Sequence, residues 1–126
     1  MYKIIDLLTE KNEFENETSE RLKIALSVGI KHPVSKFLLA KSEGYITPFC
    51  AIISTTSAKQ IDAITIEIIK SLKDSNLFNT AIKIDGNGER GWCIIDLGDC
   101  FFNLITEEKL SFYKLEDVIS GKAHIK

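Results

Sequence analysis

The chain has 126 residues, the size of a single domain, with 44% hydrophobic and 27% charged residues. This composition is that of a globular protein and excludes general disorder. The net charge of -2 does not favour binding to a nucleic-acid phosphate backbone, which selects basic proteins. We therefore expect either a protein-binding module or a small enzyme.

The N-terminal part of the chain predicts one helix. Residues 1–10 contain a short apolar group, and residues 11–19 are mainly polar and acidic, as in a solvated connection. Thr18 or Ser19 can cap a helix that runs to about Val28, because their hydroxyl oxygens can accept hydrogen bonds from free N–H groups in the first turn.

Two strands and a well-defined helix are predicted next. Residues 37–40 have the length of a strand, residues 41–48 are typical of a loop, and residues 49–54 form a continuous apolar run, as in a strand covered on both faces. Ser57 and Gln60 have the spacing of a capping box at a helix start. The helix carries an apolar stripe in steps of three and four residues, widened by two further isoleucines: Ile61, Ile64, Ile66, Ile68, Ile69 and Leu72.

The rest of the chain predicts three more strands and a final helix. Residues 80–84 alternate as in a half-buried strand, residues 86–91 form a turn with three glycines, and residues 92–97 and 100–105 form a hairpin. Thr106 can cap the last helix. The order α-β-β-α-β-β-β-α predicts an α/β or α+β protein with a single mixed sheet and helices packed on it.

Cysteine and histidine usage excludes several classes of site. The three cysteines have no Cys-x-x-Cys spacing and lie in apolar runs, which favours buried thiols in a reducing compartment. The two histidines lack neighbours at zinc-ligand spacing. No segment resembles a signal peptide or approaches the roughly 20 apolar residues of a membrane span. We expect a soluble cytoplasmic protein without a metal or a cofactor.

The patterns that could support catalysis also have structural interpretations. The turn at residues 86–91 lacks the Gly-Lys-Ser/Thr ending of a P-loop and precedes a strand. Asp96 and Asp99 could hold a metal ion, but carboxylates beside a glycine turn commonly bond to the backbone. Ser57 suits the helix start of a nucleotidyl transferase, yet the chain contains no Asp-x-Asp pair for two metals. A nucleotidyl- or phosphoryl-transfer enzyme using Ser57, Asp96 and Asp99 is the alternative to a binding protein.

The C-terminal half carries an ordered series of short motifs: Ile84-Asp-Gly, then Gly91-Trp-Cys-Ile-Ile-Asp-Leu-Gly-Asp99, then Tyr113-Lys-Leu-Glu116. With residues 45–57, this series resembles the ribosomal silencing factor family, also called Iojap-related proteins, over roughly residues 20–119. The resemblance implies that residues 17–126 form the family's domain after an extension, residues 1–16, of uncertain structure. The chain departs from the family pattern at Pro48, Asp85, Leu97, Asn103, Leu110 and Ile119.

The resemblance implies a fold similar to nucleotidyl transferases without their catalytic residues, and no enzymatic activity. It implies a translation repressor that binds a ribosomal protein, number fourteen of the large subunit, on the face that meets the small subunit. Docking there blocks subunit association, and free family members can form homodimers. Neither membrane binding nor sequence-specific nucleic-acid binding is implied. A generic dimeric interaction domain without ribosome contact is a third alternative.

The hairpin and the last helix are expected to bring the candidate partner-binding residues into one C-terminal region. Aromatic side chains would anchor the partner, and carboxylates would meet its Lys or Arg residues. The candidate residues are Trp92, Asp96, Asp99, Phe101, Asn103, Tyr113, Leu115 and Glu116.

Overall fold

The computed structural model describes residues 2–42 and 48–120, which contain six strands and four α-helices. The α-helices are α1 (Glu20–Ile30), α2 (Ala58–Asp74), α3 (Glu107–Phe112) and α4 (Leu115–Ile119). The strands are β1 (Tyr2–Asp6), β2 (Lys36–Ser42), β3 (Phe49–Thr55), β4 (Lys83–Asn87), β5 (Trp92–Asp96) and β6 (Cys100–Thr106). Part of the predicted loop at 41–48, residues 43–47, lies outside the described residues.

The strands form one six-stranded sheet in the order β1-β2-β3-β6-β5-β4. β3 and β6 are parallel, and all other neighbouring strands are antiparallel. The predicted α+β class with a single mixed sheet is therefore confirmed. Every residue of β3 is buried, which confirms the prediction of a strand covered on both faces.

Two apolar cores lie on opposite faces of the sheet, because side chains alternate between the faces along each strand. The first core joins the sheet to α1 and α2, and the second joins it to α4, with residues of α3 packed at its margin. The second core consists of Leu38, Ala40, Cys50, Ile52, Trp92, Ile105, Val118 and Ile119. This smaller core leaves part of its sheet face available to solvent.

The predicted helix starts are confirmed by their capping hydrogen bonds. Ser19 Oγ accepts a hydrogen bond from the Leu22 N–H (3.1 Å), and Ser57 Oγ accepts one from the Gln60 N–H (3.2 Å). Thr106 Oγ1 caps α3 in the same way. Each bond satisfies a first-turn donor that has no partner inside the helix.

Three details of the predicted elements differ from the structure. Residues 2–6 form β1 at one edge of the sheet, although the sequence pattern indicated no strand there. The predicted strand at 80–84 begins only at Lys83, because the turn around Asn79 takes up the preceding N–H groups. Ile66 is 65% exposed, since it lies two residues, or about 200°, from the buried positions on either side of it.

The predicted last helix is interrupted at Tyr113, whose backbone is extended (φ -109°, ψ 143°). This break turns the Tyr113 ring onto Trp92, with the ring centroids 5.0 Å apart. The chain then enters the short helix α4, which contributes Val118 and Ile119 to the second core. The interruption therefore lets both short helices pack on the same sheet face.

Candidate partner-binding surface

A line of partly exposed apolar side chains crosses the sheet face that carries α3 and α4. Phe101 of β6 lies opposite Asp96 of β5 and is 36% exposed. Ile94, two residues along β5, is half-buried and points to the same face. Tyr113 packs over the far end of β5, and its ring centroid lies 6.2 Å from that of Phe112. We call the four apolar residues Ile94, Phe101, Phe112 and Tyr113 the docking surface, and Asp96 lies at its margin.

Phe112 is the most exposed large apolar side chain of the described residues, at 86%, and was not among the residues selected from the sequence. It lies at the end of α3, outside the face on which Leu110 and Tyr113 contact the second core. Leu110 and Tyr113 are three residues apart and so lie on one helix face, and this spacing could have predicted that Phe112 lies off that face and is exposed. Large exposed aromatic side chains are the usual anchors of protein interfaces.

Trp92 lies in the second core rather than at the surface, with 1% of its side chain exposed. Its indole Nε1–H donates a hydrogen bond to Asn103 Oδ1 (3.0 Å), and its ring supports that of Tyr113. With this burial, Trp92 has no surface to offer a partner. Its contribution to the docking surface is to hold Tyr113 in place.

Asn103 is also buried, at 3% exposed, and joins three strands. Its amide Nδ2 donates hydrogen bonds to the carbonyl oxygens of Ala51 and Phe101, each at 3.1 Å. With the bond from Trp92, the side chain has partners for both ends of its amide. Asn103 therefore positions Trp92 and the Phe101 backbone, and its side chain is buried.

The two candidate aspartates bond within the chain at the β5–β6 turn. Asp99 accepts hydrogen bonds from the Ser19 N–H and the Ser19 hydroxyl, both at 2.8 Å. Asp96 accepts one from the Gly98 N–H at 2.9 Å but remains half-buried on the face of Phe101. Asp99 thus fastens α1 to the hairpin, whereas Asp96 borders the docking surface.

Leu115 and Glu116, the last candidate residues, lie in the first turn of α4. Leu115 is half-buried and packs against the second core, and Glu116 is exposed. Glu116 is therefore the one of this pair with a free side chain for a partner. Its carboxylate adds negative charge beside Tyr113.

The residues of the alternative enzyme lie at opposite ends of the sheet. Ser57 follows the carboxyl end of β3, while Asp96 and Asp99 flank the turn before β6. β3 and β6 are parallel and paired over seven residues, so the two ends are separated by about 20 Å. Among the described residues, no group of three His, Cys, Asp or Glu side chains could hold a metal ion. The structure does not bring the three residues into one active site.

The glycine turn after β4 packs against the start of α2. The Gly88 N–H donates a hydrogen bond to Asp62 Oδ1 at 2.8 Å. A Cβ atom at Gly88 would lie 2.2 Å from the Ala58 carbonyl oxygen, so this position requires glycine. The turn joins the antiparallel strands β4 and β5, which confirms the predicted hairpin turn, and it also packs against α2.

The three cysteines are free and buried. Burial raises the pKa of Cys50 to about 12, although the hydrogen bond from Asn103 lowers it. Burial also raises the pKa of Cys93 and Cys100. None of these thiols has the lowered pKa that activates a nucleophile.

Fold and surface together define an α+β domain that exposes aromatic side chains beside carboxylates. Residues 32–125 match the family described as "Ribosomal silencing factor during starvation". The chain belongs to this family, and its role is therefore that of a ribosomal silencing factor in translation regulation. No curated protein matches the chain significantly.

Two solved structures have a similar fold. One is a protein from Bacillus halodurans, with 24% identity and a TM-score of 0.65, covering 79% of this chain and 93% of that protein. The other is a protein from Chromobacterium violaceum, with 16% identity and a TM-score of 0.68, covering 83% of this chain and 88% of that protein. At these identities the likeness supports the fold alone. None of the helices within the described residues is long and apolar enough to cross a bilayer.

Proposed function

We propose that this protein represses translation by binding the large ribosomal subunit through a ribosomal protein, number fourteen of that subunit, on the face that meets the small subunit. Bound there, the domain occupies the space the small subunit needs and prevents subunit joining. The site of action is the cytoplasm, where the subunits are. The family membership of residues 32–125 supports the ribosomal target.

The exposure of Phe112 is the main observation that supports a protein-binding role for the docking surface. Phe112, Tyr113 and Phe101 supply aromatic area, and Asp96 and Glu116 supply negative charge at its margin. Ribosomal proteins that contact RNA are basic, because they must neutralise phosphates. Aromatic anchors with a carboxylate rim are complementary to the exposed part of such a protein.

The contribution that each candidate residue is expected to make to binding depends on whether its side chain is exposed or buried. A truncated anchor in an interface costs up to about 2–4 kcal/mol of binding free energy, while an exposed charge pair is worth about 1 kcal/mol or less. We therefore expect Phe112→Ala to weaken binding more than Glu116→Ala. Trp92, Asp99 and Asn103 act on binding through the fold.

Co-sedimentation with separated ribosomal subunits tests the proposal. Wild-type protein is expected to be retained by the large subunit alone, and Phe112→Ala is expected to lose most of that retention without losing stability. Ile30→Ala is the matched control, because Ile30 is also exposed and apolar (49%) but lies at the end of α1. Retention by neither subunit would support the alternative of a generic interaction domain.

A further inference from the structure

A cavity of about 560 Å³ lies at the carboxyl ends of the parallel strands β3 and β6. Its lining comes from residues 56–58 at the start of α2, residues 88–91 of the glycine turn, residues 106–109 at the start of α3, and Phe112. Small-molecule sites have volumes of about 300–1,000 Å³, and the ligands of open sheets bind outside the carboxyl ends of the strands. The cavity therefore has the size and the position of a ligand site.

The glycine turn, which packs on α2, is also fastened to the start of α3. The Thr106 N–H donates a hydrogen bond to the Gly91 carbonyl oxygen at 3.0 Å. A Cβ atom at Gly91 would lie 3.6 Å from Lys109 Cγ, so the stem of the Lys109 side chain packs against the turn. These contacts hold Lys109 beside Arg90, the residue before Gly91, and fix one wall of the cavity.

Arg90 and Lys109 bring two positive charges to the cavity. Both side chains are exposed, and within the described residues neither forms an ion pair with a carboxylate. Arginine binds phosphate as a planar, bidentate donor, and lysine binds it as a point charge. The cavity can therefore bind phosphate through side chains, without the backbone cradle of a P-loop.

The rest of the lining restricts the chemistry of the ligand. The carboxylates of Glu89, Glu107 and Glu108 oppose a bare inorganic anion, but they can accept hydrogen bonds from the hydroxyl groups of a sugar. Phe112, 86% exposed, adds a flat apolar ring on which a nucleobase can stack. Phosphate, sugar and base are the three parts of a nucleotide.

We propose that this cavity binds a free nucleoside di- or triphosphate, with the phosphates at Arg90 and Lys109 and the base on Phe112. Two separate cations match a ligand with two or more phosphate groups. Single-stranded RNA carries the same chemical groups, but the net charge of -2 opposes a polyanion more strongly than a small ligand.

The nucleotide and the ribosomal partner share Phe112, a consequence that rests on the proposed function. The Phe112 side chain lines the cavity and also belongs to the docking surface. A base stacked on its ring covers apolar area that the partner needs. Nucleotide binding is therefore expected to weaken retention of the protein by the large subunit.

Isothermal titration calorimetry with ATP and GTP, each with Mg²⁺, tests the cavity in the absence of ribosomes. Both nucleotides are expected to bind, and adenosine and inorganic phosphate are each expected to bind about tenfold more weakly or worse, because each lacks part of the contacts. Arg90→Ala and Lys109→Ala are each expected to weaken ATP binding about tenfold or more. Phe112→Ala is expected to weaken it about fivefold or more.

The matched control is Lys83→Ala, which removes an exposed positive charge at the opposite end of the sheet, across from Asp96. It is expected to bind ATP like wild type, and thermal melting confirms that each variant is folded. Absence of ATP and GTP binding up to about 10 mM would overturn the proposal. So would ATP binding that Arg90→Ala and Lys109→Ala leave unchanged, or tighter binding of single-stranded RNA than of ATP.

Co-sedimentation distinguishes this inference from the proposed function. ATP is expected to release wild-type protein from the large subunit and to leave Arg90→Ala bound. Nucleotide binding in calorimetry, without any retention by the large subunit, would contradict the proposed function and support the cavity. Retention of wild-type protein that saturating ATP leaves unchanged would contradict the shared use of Phe112.

Discussion

The hydrogen bond between Trp92 and Asn103 offers a quantitative test of how the docking surface is supported. Asn103→Ala removes the acceptor of the buried indole N–H and two donated bonds to carbonyl oxygens. A buried donor left without a partner costs about 1–3 kcal/mol, and each lost neutral bond about 0.5–1.5 kcal/mol. We expect Asn103→Ala to lower the free energy of unfolding by about 3 kcal/mol.

Urea denaturation measures this loss and its origin. With the usual urea dependence, a loss of about 3 kcal/mol lowers the midpoint by about 1–3 M. Trp92→Phe removes the same hydrogen bond from the other side. The double variant is therefore expected to lose about 1 kcal/mol less than the sum of the single losses. Losses that add within about 0.5 kcal/mol would refute the coupling.

The remaining predictions concern the hairpin, the thiols and the glycine turn. Asp99→Ala is expected to cost about 1–3 kcal/mol of unfolding free energy in urea, because Ser19 loses both bonds at the start of α1. Cys50 is protonated in the folded protein up to a pKa of about 12 and in the unfolded chain only up to 9.0. Its contribution to stability is complete below pH 9 and falls as the pH rises towards 12, measured by denaturation across that range. Gly88→Ala is expected to lower the thermal midpoint, because its new methyl group meets the Ala58 carbonyl oxygen.

Each of these predictions has a control within the same chain. Glu116→Ala removes an exposed carboxylate and is expected to leave the unfolding free energy within about 0.5 kcal/mol of wild type. At pH 8 an aromatic disulfide reagent is expected to react with the three thiols only after unfolding. Rapid reaction of the native protein would contradict the burial of Cys50, and an unchanged melting temperature for Gly88→Ala would contradict the packing of the turn on α2.

Local features of the fold could be predicted from the sequence, because their physics is local. The caps at Ser19, Ser57 and Thr106 depend on backbone groups three residues away. β1 could not be predicted, because its strand character depends on pairing with β2 more than thirty residues later. Ile66 was placed on the apolar stripe by residue type, although its angular position exposes it.

The candidate site also has features that the sequence indicates and features that depend on the tertiary fold. The sequence indicated the C-terminal region, but burial separates Phe101, on the surface, from Trp92, beneath it. Asp99 bonds to Ser19 across 80 residues, a contact that only the tertiary fold creates. Phe112 was missed, although its position two residues, or about 200°, after Leu110 places it on the side of α3 away from the second core.

The central claim is that Phe101 and Phe112 form the surface that keeps the ribosomal subunits apart. The most direct measurement is the formation of intact ribosomes from separated subunits in the presence of the protein. Wild-type protein and Ile30→Ala are expected to block joining, and the folded double variant Phe101→Ala, Phe112→Ala is expected to permit it. Equal inhibition of joining by the folded double variant and by wild type would contradict this account.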